Sequence, residues 1–186
     1  MLTKEEILKN QKKIISALKF TKRKGIESLI NWLETSNFFT SPASTRFHGN
    51  YEGGLALHSF EVYNTFIEGV KRYSLNVEEE SAILAGICHD CCKIYQYIPN
   101  KLKTGNLSEA KPYKIEDNFP FGHGEKSVLL TSKYIELTAS ESLMIRWHMG
   151  YEDPLWTDYK EKIEVKFPEV ILFQHADKEV SLIKQI

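Results

Sequence analysis

The sequence is poor in the residues that staple or anchor specialised proteins. It has three cysteines in 186 residues, Cys88, Cys91 and Cys92, an odd number crowded into five positions. That spacing cannot lay out a disulfide framework and fits a reducing compartment. One C-x-x-C is present, but no second Cys or His pair follows at short spacing, which argues against a structural zinc site. Neither sign of charge is in excess: a net charge of -1 gives no global attraction to polyanions, so tight sequence-independent nucleic-acid binding is not expected. No apolar run approaches the roughly 20 residues of a membrane span. The first twenty residues, MLTKEEILKNQKKIISALKF, lack the apolar core and small-residue cleavage site of a secretory signal. A cytoplasmic chain with no membrane partner is expected. Internal repeats and low-complexity tracts are also missing.

What is present is the composition of a globular protein, 42% hydrophobic and 26% charged, at a length that suits one domain with a real core. We read residues 1–186 as that domain, with residues 1–40 as an N-terminal helical extension packed on it. Helical signals dominate. Thr3 and Glu6 stand in capping-box spacing ahead of Ile7, Ile14, Ile15 and Leu18, and a second helix covers Gly25 to Thr35. Leu57, Phe60, Phe66, Ile67 and Val70 give a helix from Leu55 to Tyr73, and Asn76 with Glu79 caps another running toward Asp90. Helices resume at Gly124, at Ala139 behind the capping-box pair Thr138 and Glu141, and after Pro168. Between them lie two long irregular stretches. One, SNFFTSPASTRFHGNYEGG, is of a length that in small domains is often functional. The other, residues 95–122, carries Pro99, Gly105, Pro112 and Pro120, with a short β-hairpin around KPYKIED. The predicted class is mainly α, a helical bundle with a small hairpin insertion around 95–118.

Six histidines punctuate this frame: His48, His58, His89, His123, His148 and His175. A lone His on a helix is more often a packed or surface residue than a ligand. Metal-assisted phosphoryl hydrolysis needs a combination: imidazoles and carboxylates to hold an ion, a carboxylate able to bridge two ions, and open positions for water. The order His58, His89, Asp90, His123, His148, Asp177 supplies it.

In that order the chain resembles the HD-domain metal-dependent phosphohydrolases, whose pattern is H, then HD, then a distant D. GGLALHS supplies His58, GICHD supplies His89 and Asp90, and HADKEV supplies Asp177, with FPFGHGEKS and IRWHMG placing His123 and His148 where a second ion's ligands fall in two-metal relatives. The resemblance runs from about residue 40 to about residue 183. It implies a first ion on His58, His89, Asp90 and Asp177, with Asp90 bridging to a second on His123 and His148. One or two divalent transition ions are expected, and this donor set does not choose among Mn, Fe, Co, Ni and Zn. Lys93 completes an HD-x-x-K similar to the HD-x-G-K of relatives in which the lysine meets a substrate phosphate; Cys92 stands in place of that glycine.

Beside the resemblance, Arg46 in STRFHGNYEGG is a second phosphate candidate, because a guanidinium fork suits phosphate oxygens. Lys126 and Arg146 read as surface charges or as partners of neighbouring residues, and Cys91 and Cys92 as packing or support around the ligands. His175, about 200° around an ideal helix from Asp177, reads as a packing residue or a support for the ligands. Trp32, Trp147 and Trp156 read as core by default, with Tyr151 or Trp156 able to stack a base near the pocket. GHGEKS lacks the Gly-Lys of a P-loop, and Gly150–Tyr151 lacks the proline of the cyclic-dinucleotide GYP signature. The expected activity is cleavage of a phosphate ester of a nucleotide or a nucleic-acid end, with a two-metal phosphodiesterase ahead of a one-metal phosphomonoesterase and of a nucleotide sensor without turnover.

Overall fold

Helix starts follow the local chemistry of the chain. The computed structural model describes residues 1–186, and in it α1 (Lys4–Phe20) begins at Thr3, whose hydroxyl and the Glu6 carboxylate close the expected capping box. Helix α2 (Ile26–Thr35) follows Gly25, and α3 (Gly54–Tyr73) follows Gly53. Helix α4 (Glu79–Cys88) starts behind Glu78, with no side-chain cap. The expected Asn76 cap is therefore not used: the chain stays extended past it and enters the helix two residues later. Helices α5 (His123–Thr131), α6 (Ala139–Trp147), α7 (Trp156–Lys166) and α8 (Pro168–Lys178) complete the set, with Thr138 and Glu141 forming the second capping box at α6 and Pro168 opening α8.

Helix α7 was not anticipated. Its sequence, WTDYKEKIEVK, buries only Trp156 and Ile163, one side chain every two turns, so it carries almost no apolar stripe to read. The expected hairpin is present as β1 (Tyr97–Pro99) and β2 (Tyr113–Ile115), antiparallel with Tyr97 opposite Ile115. The class is mainly helical with a small two-stranded sheet, and no helix is long and apolar enough to cross a membrane.

The centre of the packing is α4, buried on every side from Ala82 through Cys88. Helix α3 packs most extensively on it and also meets α8 and α1, while α6 joins α4 to α5 and α8. Helix α3 presents Leu55, Ser59, Val62, Phe66 and Val70 inward, a repeat of three and four residues that makes one continuous buried stripe. Ile14 and Leu18 of α1 and Leu29 and Leu33 of α2 enter the same hydrophobic cluster as Phe66, Ile87, Met144 and Phe173.

Two glycines set the close approaches that matter for the site. A Cβ on Gly86 would lie 2.7 Å from the Tyr63 Cα, so only glycine lets α4 press against α3 one turn from His89. A Cβ on Gly124 would collide with the Arg146 carbonyl, and that contact brings the start of α5 against the end of α6. The irregular stretch 36–53 is held by its own bonds, among them Ala43 N–H to Gly49 O at 2.8 Å and Ser44 Oγ to His48 O at 2.7 Å. The hairpin braces it through Tyr97 Oη to Ala43 O at 3.3 Å.

Candidate metal centre

The donor side chains sit at helix ends, where the backbone leaves carbonyls without helical partners. His89 caps the C-terminus of α4 and His148 that of α6, and each turns its Nδ1 back to the carbonyl three residues earlier, Gly86 O at 2.8 Å and Ile145 O at 2.7 Å. His58, in the first turns of α3, meets the main-chain oxygen of Ile186 through Nδ1 at 3.0 Å. A carbonyl only accepts, so all three Nδ1 atoms carry hydrogen, and in a neutral ring the Nε2 atom then offers a lone pair. Asp90 occupies the break between α4 and a 3-10 turn over Cys91–Lys93, His123 opens α5, and Asp177 lies in the last turn of α8.

These groups converge on the two oxygens of Asp90. Oδ2 faces Lys93 Nζ at 2.7 Å, His89 Nε2 at 3.4 Å and His58 Nε2 at 3.6 Å. Oδ1 faces His123 Nε2 at 2.9 Å and His148 Nε2 at 3.6 Å. Asp177 Oδ1 stands 3.1 Å from His58 Nε2 and 4.0 Å from His89 Nε2. His58, His89 and Asp177 thus form one group of metal-type donors, and His89, Asp90 and His148 another.

The donor set fits a cation on its own chemistry. His58 Nε2 and His89 Nε2 face each other at 3.3 Å, and His148 Nε2 is buried without any hydrogen-bond partner. A hydrogen on His58 Nε2 would make that ring an imidazolium and could serve Asp177 or His89, not both. Convergent lone pairs around the buried Asp90 and the partly buried Asp177 call for positive charge, and a divalent ion supplies it to every donor at once. These residues are able to hold a metal ion.

The electrostatics agree. Burial pushes the Asp90 carboxyl up, but the Lys93 ammonium, His89 and the His123 hydrogen bond outweigh it and hold the group well below the carboxylate range. Asp177 is likewise held down, its burial outweighed chiefly by its contact with His58. Burial works against the Lys93 ammonium, but Asp90 beside it outweighs that and raises its pKa, so the ammonium stays charged. Burial lowers His123, and it lowers His48 to about 4, with the Lys93 ammonium adding to the effect.

A cavity of about 840 Å³ opens over the cluster, with Asp90, Lys93, His123, His148 and Asp177 at its base. Arg46, Phe47, His48 and Tyr51 from the 36–53 stretch form one wall, and Lys178, Ser181 and Gln185 the other. The second wall follows a widening of α8 into π-helical turns over Glu179–Lys184.

All six residues expected as ligands come together, and Lys93 and Arg46 both line the cavity. Lys93 is not a solvated charge but a buried one, paired with Asp90. Lys126 and Arg146 are not surface charges either: Lys126 is buried on Asp117 at 2.6 Å, and Arg146 pairs with Glu125 and Asp153 and lies over the Trp147 ring. His175 is exposed, which corrects its expected packing role. Trp156 is sealed in the core against Trp147, and Tyr151 leans on Trp156 from outside, so neither lines the cavity to stack a base.

Two neighbours of the cluster went unread. Ser181 lies 3.3 Å from Asp177 Oδ1 and 3.4 Å from His48 Nε2, and the His48 ring stacks beside His58 with centroids 5.0 Å apart. Ser181 follows Asp177 by four residues, one helical turn, which is the signal that could have found it. Nothing in the spacing of His48 marks it. Compared with protein-family models, curated proteins and solved structures, the chain matches none.

Proposed function

We propose that the chain is an HD-type metal-dependent phosphohydrolase that cleaves a phosphate ester of a nucleotide or nucleic-acid end, with a phosphodiester as the preferred bond. The observation that carries this reading is the division of Asp90: one oxygen faces His58 and His89, which also neighbour Asp177, and the other faces His123 and His148. A carboxylate so placed can bridge two ions, and the buried His and Asp cluster is compatible with an HD-type site. Bound ions there would polarise the phosphoryl oxygens and acidify a water for attack.

The chain's own groups have complementary roles. His58, His89 and His148 are locked by their Nδ1 bonds with Nε2 toward the cluster, so little reorganisation accompanies ligation. The ammonium of Lys93, kept charged by Asp90 at the base of the cavity, attracts a phosphate oxygen and orients the ester over the donors. Arg46 stands at the rim, exposed and packed over Phe47, where its fork can take a second phosphate oxygen from solvent. The neutral His48 ring walls the cavity without adding a charge that would compete for the anion.

The test is a hydrolysis screen of nucleotide monoesters and diesters by protein whose metal content has been measured. The reading predicts metal-dependent cleavage, faster on diesters, abolished by Asp90→Ala. Metal-loaded protein that cleaves no ester, while still binding nucleotide, would overturn the enzymatic reading.

A further inference from the structure

Cys92 is the one donor atom in the cluster that the proposed mechanism does not use. Its backbone N–H donates to Ser127 Oγ at 3.0 Å, which fixes the residue in the turn after Asp90. Its sulfur lies 3.4 Å from His123 Nδ1 and 3.6 Å from His123 Nε2. Asp90, Cys92 and His123 offer carboxylate, sulfur and imidazole donors all within 4.8 Å of one another. A separate observation points into the same space: the fully buried Nε2 of His148 has no partner, it faces Asp90 Oδ1 at 3.6 Å, and its ring lies 5.1 Å from that of His123. On one tetrahedral ion, bonds of about 2.3 Å to sulfur and about 2.0 Å to imidazole nitrogen set neighbouring donors about 3.5 Å apart. The Cys92 Sγ to His123 Nε2 distance of 3.6 Å meets that spacing.

We infer that Cys92 is a metal ligand, binding as thiolate the ion on the Oδ1 side of Asp90 together with His123 and His148. The assignment rests on the metal-centre reading above and adds to it a soft donor on one side only. A free cysteine thiol keeps its hydrogen at neutral pH, so the sulfur enters as S–H. On ligation the S–H bond breaks, the proton passes to solvent and the freed electron pair forms the sulfur–metal bond. The Oδ1 position thereby favours thiophilic ions such as Zn and Co over Mn and Mg, whereas the Oδ2 position, with imidazole and carboxylate donors alone, does not. Cys88 and Cys91 lie against each other in the core and serve as controls.

The experiment titrates metal-stripped full-length protein with Co(II) and follows the near-ultraviolet sulfur-to-cobalt charge-transfer band. Wild type and Cys91→Ala show the band. Cys92→Ala loses it and binds one ion at least about tenfold more weakly. X-ray absorption on Zn-loaded wild type needs no substitution, so it remains decisive if Cys92→Ala fails to fold; it should find a sulfur scatterer at about 2.3 Å. Cobalt bound without the band, or a zinc shell of nitrogen and oxygen only, overturns the role of Cys92 and leaves the metal centre standing. Protein that binds neither ion overturns both.

Discussion

Two carboxylates are buried in this fold, Asp90 and Glu141, and they differ in how completely the protein satisfies their surroundings. Glu141 receives Arg23 at 2.8 Å, Ser81 at 2.7 Å and the Thr138 backbone N–H at 2.8 Å. Its neighbours are donors with hydrogens to give, and the arrangement is complete. Asp90 is ringed by Lys93 and by imidazoles, three of the cluster's rings having Nδ1 committed to a main-chain oxygen and Nε2 aimed inward. Burying a charge is therefore not what marks a site. What marks it is a convergence of acceptors that no protein hydrogen can serve all at once.

The largest effect that would break this comparison is on Asp90. Asp90→Ala should lower metal affinity by more than about 100-fold, since it removes the carboxylate whose two oxygens face His58 and His89 on one side and His123 and His148 on the other, and even supporting partners cost about 10–100-fold. Equilibrium dialysis with elemental analysis reads it directly. Next, Lys93→Ala should reduce kcat by about 100-fold, the scale of one lost electrostatic contact to the reacting group. Its metal content should stay near wild type, because an ammonium cannot ligate a cation. Equal loss of metal and turnover would make Lys93 a support for the ligands instead.

Glu141 supplies the contrast in stability. Glu141→Ala should cost about 3 kcal/mol, the low end for a broken buried pair because Arg23 retains some solvent contact. For a chain of this size that is roughly 6–12 °C in Tm, with metal content unchanged. Burial pushes the Glu141 carboxyl up, but the bonds from Arg23, Ser81 and Thr138 prevail and lower it from its ordinary 4.5. A depressed folded pKa contributes stability above the unfolded value, and that contribution is lost as pH falls through the folded one. Denaturant melts below about pH 4.5 should therefore be less pH-dependent for Glu141→Gln than for wild type. The smallest effect belongs to His175→Ala: exposed and outside the cluster, it should change stability by less than about 0.5 kcal/mol and metal content not at all.

Much of this arrangement was legible in the chain because it is written in types and local spacing. The capping pairs Thr3–Glu6 and Thr138–Glu141 start their helices as read, and the ordered His and Asp residues converge as their pattern implies. What stayed hidden depends on contacts between distant segments. Lys126 and Arg146 look like surface charges one residue at a time, and only the folded loop before α5 shows Lys126 on Asp117 and the packing of α5 on α6 shows Arg146 on Glu125. Cys92 resembles a small core residue until α5 lays His123 against its sulfur. Helix α7 escaped for a different reason, with just two buried side chains to announce it.

The central claim is that Asp90 divides its oxygens between two ion positions. Anomalous scattering from crystals saturated with Mn or Zn tests it most directly. The account predicts two peaks, one on each side of Asp90, with His58, His89 and Asp177 on the first and His123 and His148 on the second. A single peak with the His123 and His148 rings turned away from it, or no peak within reach of Asp90, would contradict it.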